Sequence, residues 1–167
     1  KIIAHEMKEN KIFNFSPINL NLNAAQEKAF NIINKSLVSK YHPIVLEGVT
    51  GSGKTEVYFE AIEKILSQKK QALILLPEIS LTPQLEKRFI HRFGFSPDIW
   101  HSKITEKHKK NTWHRCYQGH PMIVVGARSS LFLPFTNLRL IIVDEEHDLS
   151  FKQEDNIRYQ ARDLAVV

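Results

Sequence analysis

A glycine-rich run, GVTGSGKT at residues 48–55, constrains this chain more than any other stretch of it. The run fits the pattern GxxxxGK[ST], which carries meaning only between a strand and a helix. Residues 44–47 (IVLE) predict a short buried strand before the run, and the apolar spacing of residues 56–66 predicts a helix after it. The glycines permit backbone angles that turn several N–H groups toward one point and leave space for a phosphate. The pattern therefore predicts a nucleoside triphosphate site.

The side chains of the same run add a charge and a metal ligand to the glycine backbone. Lys54 brings a positive charge to the outer phosphates, and the helix that starts near it adds N-terminal donors and a favourable dipole. The Thr55 hydroxyl is suited to ligate Mg²⁺. We expect ATP or ADP with Mg²⁺ to contact the loop residues Gly48, Thr50, Gly51, Ser52, Gly53, Lys54 and Thr55.

Composition limits the class of protein. The 167 residues, 43% of them apolar, suffice for one domain with a core. The single cysteine, Cys116, fits a reducing, cytoplasmic setting, and no apolar run approaches the roughly 18 residues of a membrane span. A net charge of +5 leans mildly toward a polyanionic partner. Because the chain begins with Lys rather than Met, we expect a piece of a longer protein, with residues 1–19 as a linker or arm from an upstream domain.

Strand and helix patterns alternate along residues 20–167, which we expect to form one lobe, truncated at its C-terminus. Apolar runs predict four strands, at residues 71–76, 98–100, 122–125 and 138–143. Capping signals predict helices that begin near Asn23 and at Thr82, with Pro83 in the first helical position. Helical spacing predicts two more, over residues 104–119 and 159–167. This alternation predicts an α/β fold in which a mostly parallel sheet is flanked by helices, as in a RecA-like P-loop NTPase lobe.

Gln26 has two interpretations that the residues alone leave open. It lies three positions after the predicted N-cap Asn23, which is the capping-box position. Its amide also carries both a donor and an acceptor, so it is equally suited to read the edge of an adenine base.

Acidic residues follow the last predicted strand. The apolar residues 140–143 lead directly into Asp144, Glu145, Glu146 and His147, at the sheet edge where ligands bind in parallel α/β folds. We expect Asp144 to complete the Mg²⁺ site that Thr55 begins, and Glu145 to act as the base that orients a water toward the γ-phosphate. With Lys54, these two acids form the predicted catalytic set. The sequence leaves the role of His147 open.

With these motifs placed, the chain resembles the superfamily 2 helicases, whose DExH box is similar to residues 144–147 (DEEH). Longer stretches resemble one family within them, the PriA replication-restart helicases. These stretches are LNAAQ at 22–26, LPEISLTPQ at 76–84 (motif Ia), VGARSSLF at 125–132 (motif Ib), and the run from FKQE at 151–154 to RYQARD at 158–163.

The resemblance implies the first of two RecA-like lobes of an ATP-driven bacterial helicase. Such an enzyme moves 3′ to 5′ on single-stranded DNA, acts on forked DNA, and works with primosome proteins and single-stranded DNA-binding protein in a cytoplasmic, nucleoid-associated setting. An upstream DNA-binding domain and a zinc-binding insert in the second lobe are also implied, with no zinc expected in this chain. DNA contacts would come from Thr82, Gln84, Arg128, Ser129, Ser130 and Phe151, the last from an aromatic loop that also includes Tyr159.

Two other functions are compatible with the loop alone. A small-molecule P-loop enzyme such as a kinase leaves motif Ib and the segment after the acids without a role. A nucleotide-gated DNA-binding module without unwinding is the nearer alternative, because fast hydrolysis needs an arginine from a second lobe. We therefore expect this lobe alone to bind nucleotide with little turnover. The basic residues Lys107, Lys109, Lys110 and Arg115 are interpreted as a solvated helix face.

Overall fold

The computed structural model describes residues 21–37, 42–49, 51–77, 80, 82–153 and 159–166. The predicted arm at residues 1–19 and the loop residue Thr50 lie outside this part of the chain.

A four-stranded parallel sheet forms the centre of the fold. Its strands are β1 (Gln71–Leu75), β2 (Asp98–Trp100), β3 (Met122–Gly126) and β4 (Leu138–Val143), in the order β2-β3-β1-β4. All three pairings are parallel, so the four strands end at the same edge of the sheet. The predicted α/β architecture with a mostly parallel sheet is confirmed.

Helices flank the sheet, and two of them begin at the predicted caps Asn23 and Thr82. They are α1 (Ala24–Ser36), α2 (Lys54–Ser67), α3 (Pro83–Phe93), α4 (Glu106–Tyr117) and the short α5 (Ala161–Leu164). The caps of α1, α3 and α4 are Asn23, Thr82 and Thr105, each of which accepts a hydrogen bond from a backbone N–H in the first turn. A 3₁₀ turn (Arg128–Phe132) follows β3, and another (Leu149–Phe151) lies beyond β4.

Alternation along β1 produces two cores, one on each face of the sheet. Ala72 and Ile74 pack with α2 and α3 in a cluster that includes Phe59, Phe89 and Phe93. Leu73 and Leu75 point into a second cluster, with side chains from α4, β3 and the chain end, among them Cys116, Val124, Phe151 and Ala161. Because both faces of β1 are covered, its near-continuous apolar sequence is what a buried parallel strand requires.

Ion pairs join α2 and α3 above the first core. Arg92 is 2% exposed and places Nη2 2.6 Å from both Glu60 Oε1 and Glu63 Oε2 on α2. One turn earlier on α3, the more exposed Arg88 pairs with Glu56 at 3.1 Å. The two helices that carry the glycine loop and motif Ia are therefore fastened side by side.

Two predictions about the backbone are wrong. Residues 44–47 do not form a strand, and Val45 is 84% exposed. A strand needs a neighbour for its N–H and C=O groups, and within the described residues no strand pairs with this segment. The chain end is not one continuous helix either. Tyr159–Gln160 forms a two-residue strand, antiparallel to Lys152–Gln153, before α5 begins.

Candidate functional site

The glycine loop depends on its glycines in two different ways. Gly51 and Gly53 adopt φ values of +81° and +82°, the left-handed region that side chains disfavour. Gly48 does not lie in that region, so the expectation of special backbone angles at all three glycines is corrected there. Its role is spatial, because a Cβ at Gly48 would lie 2.5 Å from Ser52 Oγ. Gly51 and Gly53 are thus needed for their backbone angles, and Gly48 is needed because a side chain there would meet Ser52.

Lys54 and Gln26 close the two sides of this loop. The Lys54 amine donates to the carbonyl of Gly48 and, at 3.5 Å, to that of Val49, so its charge lies within the curve of the loop. Gln26 completes the capping box of α1, accepting from the Asn23 N–H at 2.9 Å. Its Nε2 also donates to Ser52 O at 3.3 Å and lies 2.2 Å from where a Cβ on Gly53 would be. Gln26 is therefore both a cap and a loop contact.

Asp144 follows β4 and reaches the start of α2. Its backbone N–H donates to Leu75 O, which holds the acid at the carboxyl edge of the sheet. Its side chain accepts a hydrogen bond from Tyr58 Oη at 3.1 Å, across a sequence separation of 86 residues. Thr55 lies one helical turn before Tyr58 on α2. The two predicted Mg²⁺ ligands are thus a residue on the same helix as this phenol and the acid that accepts its hydrogen bond.

Tyr58 is a site residue that the sequence reasoning missed. It is 7% exposed, and burial, followed by the charge of Asp144, raises the pKa of its phenol well above the ordinary value. The phenol therefore stays protonated and donates to Asp144 at any physiological pH. The available signal was its position three residues after Thr55, one helical turn away on the same face of α2.

The residues after Asp144 form a tight turn with strain at the predicted base. Glu145 adopts φ +53°, uncommon for a residue with a side chain, and its N–H donates to Asp144 Oδ1 at 3.0 Å. Glu146 is engaged elsewhere, in an ion pair with Arg162 at 2.9 Å. His147 is exposed. Glu145 is therefore exposed next to Asp144. Backbone strain of this kind is often found in active sites.

Some of the predicted DNA-binding side chains are exposed, and others are hydrogen-bonded or buried within the protein. Thr82, Gln84 and Ser129 are exposed at the start of α3 and in the 3₁₀ turn after β3. Arg128 is half-buried and donates to two backbone carbonyls, Ser150 O at 3.0 Å and Lys152 O at 2.6 Å. It therefore fastens motif Ib to the segment beyond the acids.

The structure contradicts two of the predicted DNA contacts. Ser130 is fully buried, and its hydroxyl donates to Ala127 O within its own turn at 2.7 Å. Phe151 is 1% exposed and belongs to the second core, because a large apolar ring gains more from burial there than from a place in a solvated loop. Tyr159 is partly buried against that same core, and its ring meets the exposed Phe132 edge to face at 5.4 Å.

This RecA-like α/β lobe, with its glycine loop and acid turn at one edge, is of the helicase class. Residues 23–166 match the DEAD/DEAH box helicase family, and the chain belongs to that family. Its curated relatives include the replication restart proteins PriA of several bacteria. It is 49% identical to that of Rickettsia conorii over 162 residues, which is 97% of this chain and 24% of the relative. It is 47% identical to that of Bacillus subtilis over 148 residues, 88% of this chain and 18% of the relative. The predicted resemblance to the PriA family is confirmed.

A solved structure supports the same placement. The chain is similar to the protein in "Structure of RecG bound to three-way DNA junction", with a TM-score of 0.67 and 27% identity over 79% of this chain and 19% of that one. The chain thus spans about a quarter of the Rickettsia relative and a fifth of the RecG chain. No described helix is both long and apolar enough to span a bilayer.

Proposed function

We propose that this chain is the ATP-binding lobe of a DNA helicase of the PriA type. One observation carries the proposal: the hydrogen bond from Tyr58 on α2, the helix that follows the glycine loop, to Asp144 brings the loop and the acid turn together at one edge of the sheet. A small-molecule P-loop enzyme gives no reason for motif Ib or for its tie to the segment after the acids through Arg128.

The residues present fit a nucleoside triphosphate with Mg²⁺. The curve formed by Gly48, Gly51 and Gly53 is one that a Cβ would obstruct or strain, as a phosphate cradle requires. Lys54 would hold the outer phosphates, and Thr55 and Asp144 would hold the metal. Bound Mg²⁺ supplies charge neutralisation for the phosphate oxygens. We assign adenine reading to Gln26, whose amide lies against the loop.

Glu145 is the group we assign to the attacking water. Glu145 is exposed and directly follows Asp144, with its backbone in the left-handed region. A carboxylate here can accept a hydrogen bond from water and orient it. A second lobe would add an arginine, which one lobe cannot supply, so we expect slow turnover from this chain alone. In that state it would behave as a nucleotide-gated DNA-binding module.

The wider activity is proposed from the relatives, which are named replication restart proteins. In the complete protein the lobe would couple ATP hydrolysis to 3′-to-5′ movement on single-stranded and forked DNA. Primosome proteins and single-stranded DNA-binding protein would be its partners in the bacterial cytoplasm. Zinc would belong to the second lobe. Thr82, Gln84 and Ser129 are the exposed side chains proposed to hold the DNA backbone.

The decisive experiment is a titration with a fluorescent ADP analogue and Mg²⁺. We expect saturable binding that Lys54→Ala abolishes. Lys64→Ala, an exposed lysine in the last turn of the same helix, is the matched control and should bind as the parent does. Unchanged affinity in Lys54→Ala would overturn the assignment of the loop. Fast DNA-stimulated hydrolysis by the chain alone would overturn the expected need for a second lobe.

A further inference from the structure

Helix α4 carries two aromatic rings on its outer face. Trp113 is 42% exposed and Tyr117 58% exposed, and their rings stack with centroids 5.6 Å apart and an interplanar angle of 16°. They lie one turn apart, so the stack follows the helix axis. Large aromatic side chains left in solvent as a stacked pair are unusual on a surface that binds nothing, since Trp and Tyr are enriched where proteins make contacts.

Basic groups and a second tryptophan surround these rings. Trp100, at the end of β2, lines a shallow cleft with Lys109, Lys110, Trp113 and His114. Glu106 is the one acid in the twelve residues of α4, and Lys109 neutralises it at 2.8 Å. Lys110 has no ion-pair partner within the described part of the chain, so its charge is available. The cleft is therefore both aromatic and positively charged.

The helix is held rigidly against the sheet by its other face. Asp98 at the start of β2 accepts a hydrogen bond from Thr112 at 3.2 Å and pairs with Arg115 at 2.5 Å. The fully buried Gln71 donates to the carbonyl of Cys116 at 3.0 Å, at the C-terminal end of α4. The rings thus stand on a fixed support and need little ordering to bind a ligand.

The cleft adjoins motif Ib. Trp100 is paired with Gly126 in the sheet register, and Trp100 O accepts a hydrogen bond from the Ala127 N–H at 3.1 Å, directly before the turn that carries Ser129. β2 is the sheet edge opposite β4, so Trp100 lies three inter-strand spacings, roughly 14 Å, from β4, which the acid turn follows. A DNA strand that crosses motif Ib toward this edge of the sheet would reach Trp100.

We propose that Trp100, Trp113 and Tyr117, with Lys110, form a stacking platform for single-stranded DNA at the outer end of the motif Ib contact. The rings stack on successive bases, and the ammonium group of Lys110 contacts the backbone. The positive charge of the cleft favours a polyanion as its ligand. The flat rings favour a polyanion whose bases are exposed and can stack on them. The inference rests on the proposed DNA-binding function and extends its footprint beyond the helicase motifs to α4.

The test combines crosslinking with equilibrium binding, on the full chain. Irradiation with a 5-iodouracil-substituted oligodeoxythymidine should give adducts that map to Trp100, Trp113 or Tyr117. In anisotropy titrations the double variant Trp113→Ala/Tyr117→Ala should bind oligodeoxythymidine at least about thirtyfold more weakly, because each lost ring removes its stacking on one base. Trp113→Phe/Tyr117→Phe should retain most of the affinity. Lys110→Ala should reduce the salt dependence, lowering the log–log slope by about 0.7.

Controls separate this inference from the function on which it rests. Ile90→Ala removes an exposed apolar side chain from α3 and should leave the affinity unchanged. If the parent chain binds no single-stranded DNA, the proposed DNA-binding function fails with the platform. If the parent binds, yet no adduct maps to Trp100, Trp113 or Tyr117 and the double variant matches the parent, only the platform is overturned. Equal binding of an abasic strand, or binding of an acidic peptide at these rings with DNA affinity unaffected, overturns it as well.

Discussion

Arg92 offers the sharpest test of how this lobe is held together. The guanidinium is almost fully buried and bridges two glutamates that are 20% and 22% exposed. Removal of one member of a buried ion pair typically costs 3–5 kcal/mol, because the partner charge stays desolvated. Since the glutamates retain some water contact, we expect Arg92→Ala to lower the free energy of unfolding by about 3 kcal/mol, the lower end of this range. That corresponds to a fall in Tm of roughly 6–12 °C for a chain of this size.

The loss should depend on pH with a definite sign. Burial, and then the neighbouring charge of Glu60, raises the pKa of Glu63, while Arg92 opposes the rise. Without Arg92 this pKa rises further in the folded state. A raised folded pKa gives stability that is present below the unfolded value, about 4.3, and lost as pH rises through the folded value. The deficit of Arg92→Ala should therefore be largest near pH 7 and shrink as pH falls toward 4.5.

Urea denaturation followed by circular dichroism measures this directly. Arg88→Ala is the matched control, one turn away on α3, where the 49% exposed Arg88 pairs with one glutamate, and it should cost less than about 1 kcal/mol. The triple variant Arg92→Met/Glu60→Gln/Glu63→Gln should recover most of the loss, since it leaves no buried charge. A deficit below about 1 kcal/mol at pH 7, or one that does not change with pH, would refute the reasoning.

Three further predictions concern the site and the second core. Tyr58→Phe removes the hydrogen bond to Asp144 and should weaken Mg²⁺-dependent ADP binding by about 1–2 kcal/mol, while metal-free ADP binding, measured by the same titration, stays unchanged. Gly53→Ala puts a Cβ against Gln26 at positive φ, so nucleotide affinity measured by the same titration should fall at least about tenfold. Burial raises the pKa of the Cys116 thiol to about 12, so a thiol reagent at pH 8 should modify it only after urea unfolding, and rapid modification of the folded chain would contradict its buried position.

The sequence predicted most of the fold because its signals are local. The strands at 71–75 and 138–143 are runs of mainly apolar residues, the first buried throughout and the second, at the sheet edge, only partly buried. The caps Asn23 and Thr82 are recognisable from their neighbours alone. Asp144 was also predictable, since an acid directly after a parallel strand lies at the carboxyl edge.

The errors arise where tertiary context decides. Phe151 follows a polar turn, and nothing nearby in the sequence shows that α5 and the second core enclose it. Residues 44–47 have strand composition, but pairing depends on a neighbouring strand that composition does not supply. Tyr58 was hidden in the apolar stripe of α2, because its ring packs in the core while its hydroxyl faces the site.

The strand order has a consequence for how the site comes into being. β1 takes β3 on one side and β4 on the other, so the acid turn meets the P-loop helix only after the chain has closed over the intervening residues. Contacts of such long sequence separation form late, because the entropy of loop closure must first be overcome. Competence to bind Mg²⁺ and nucleotide should therefore be the last property gained on refolding, and a collapsed intermediate with native helices would be inactive. The Tyr58–Asp144 hydrogen bond, which joins α2 to the acid turn, would form in this last step.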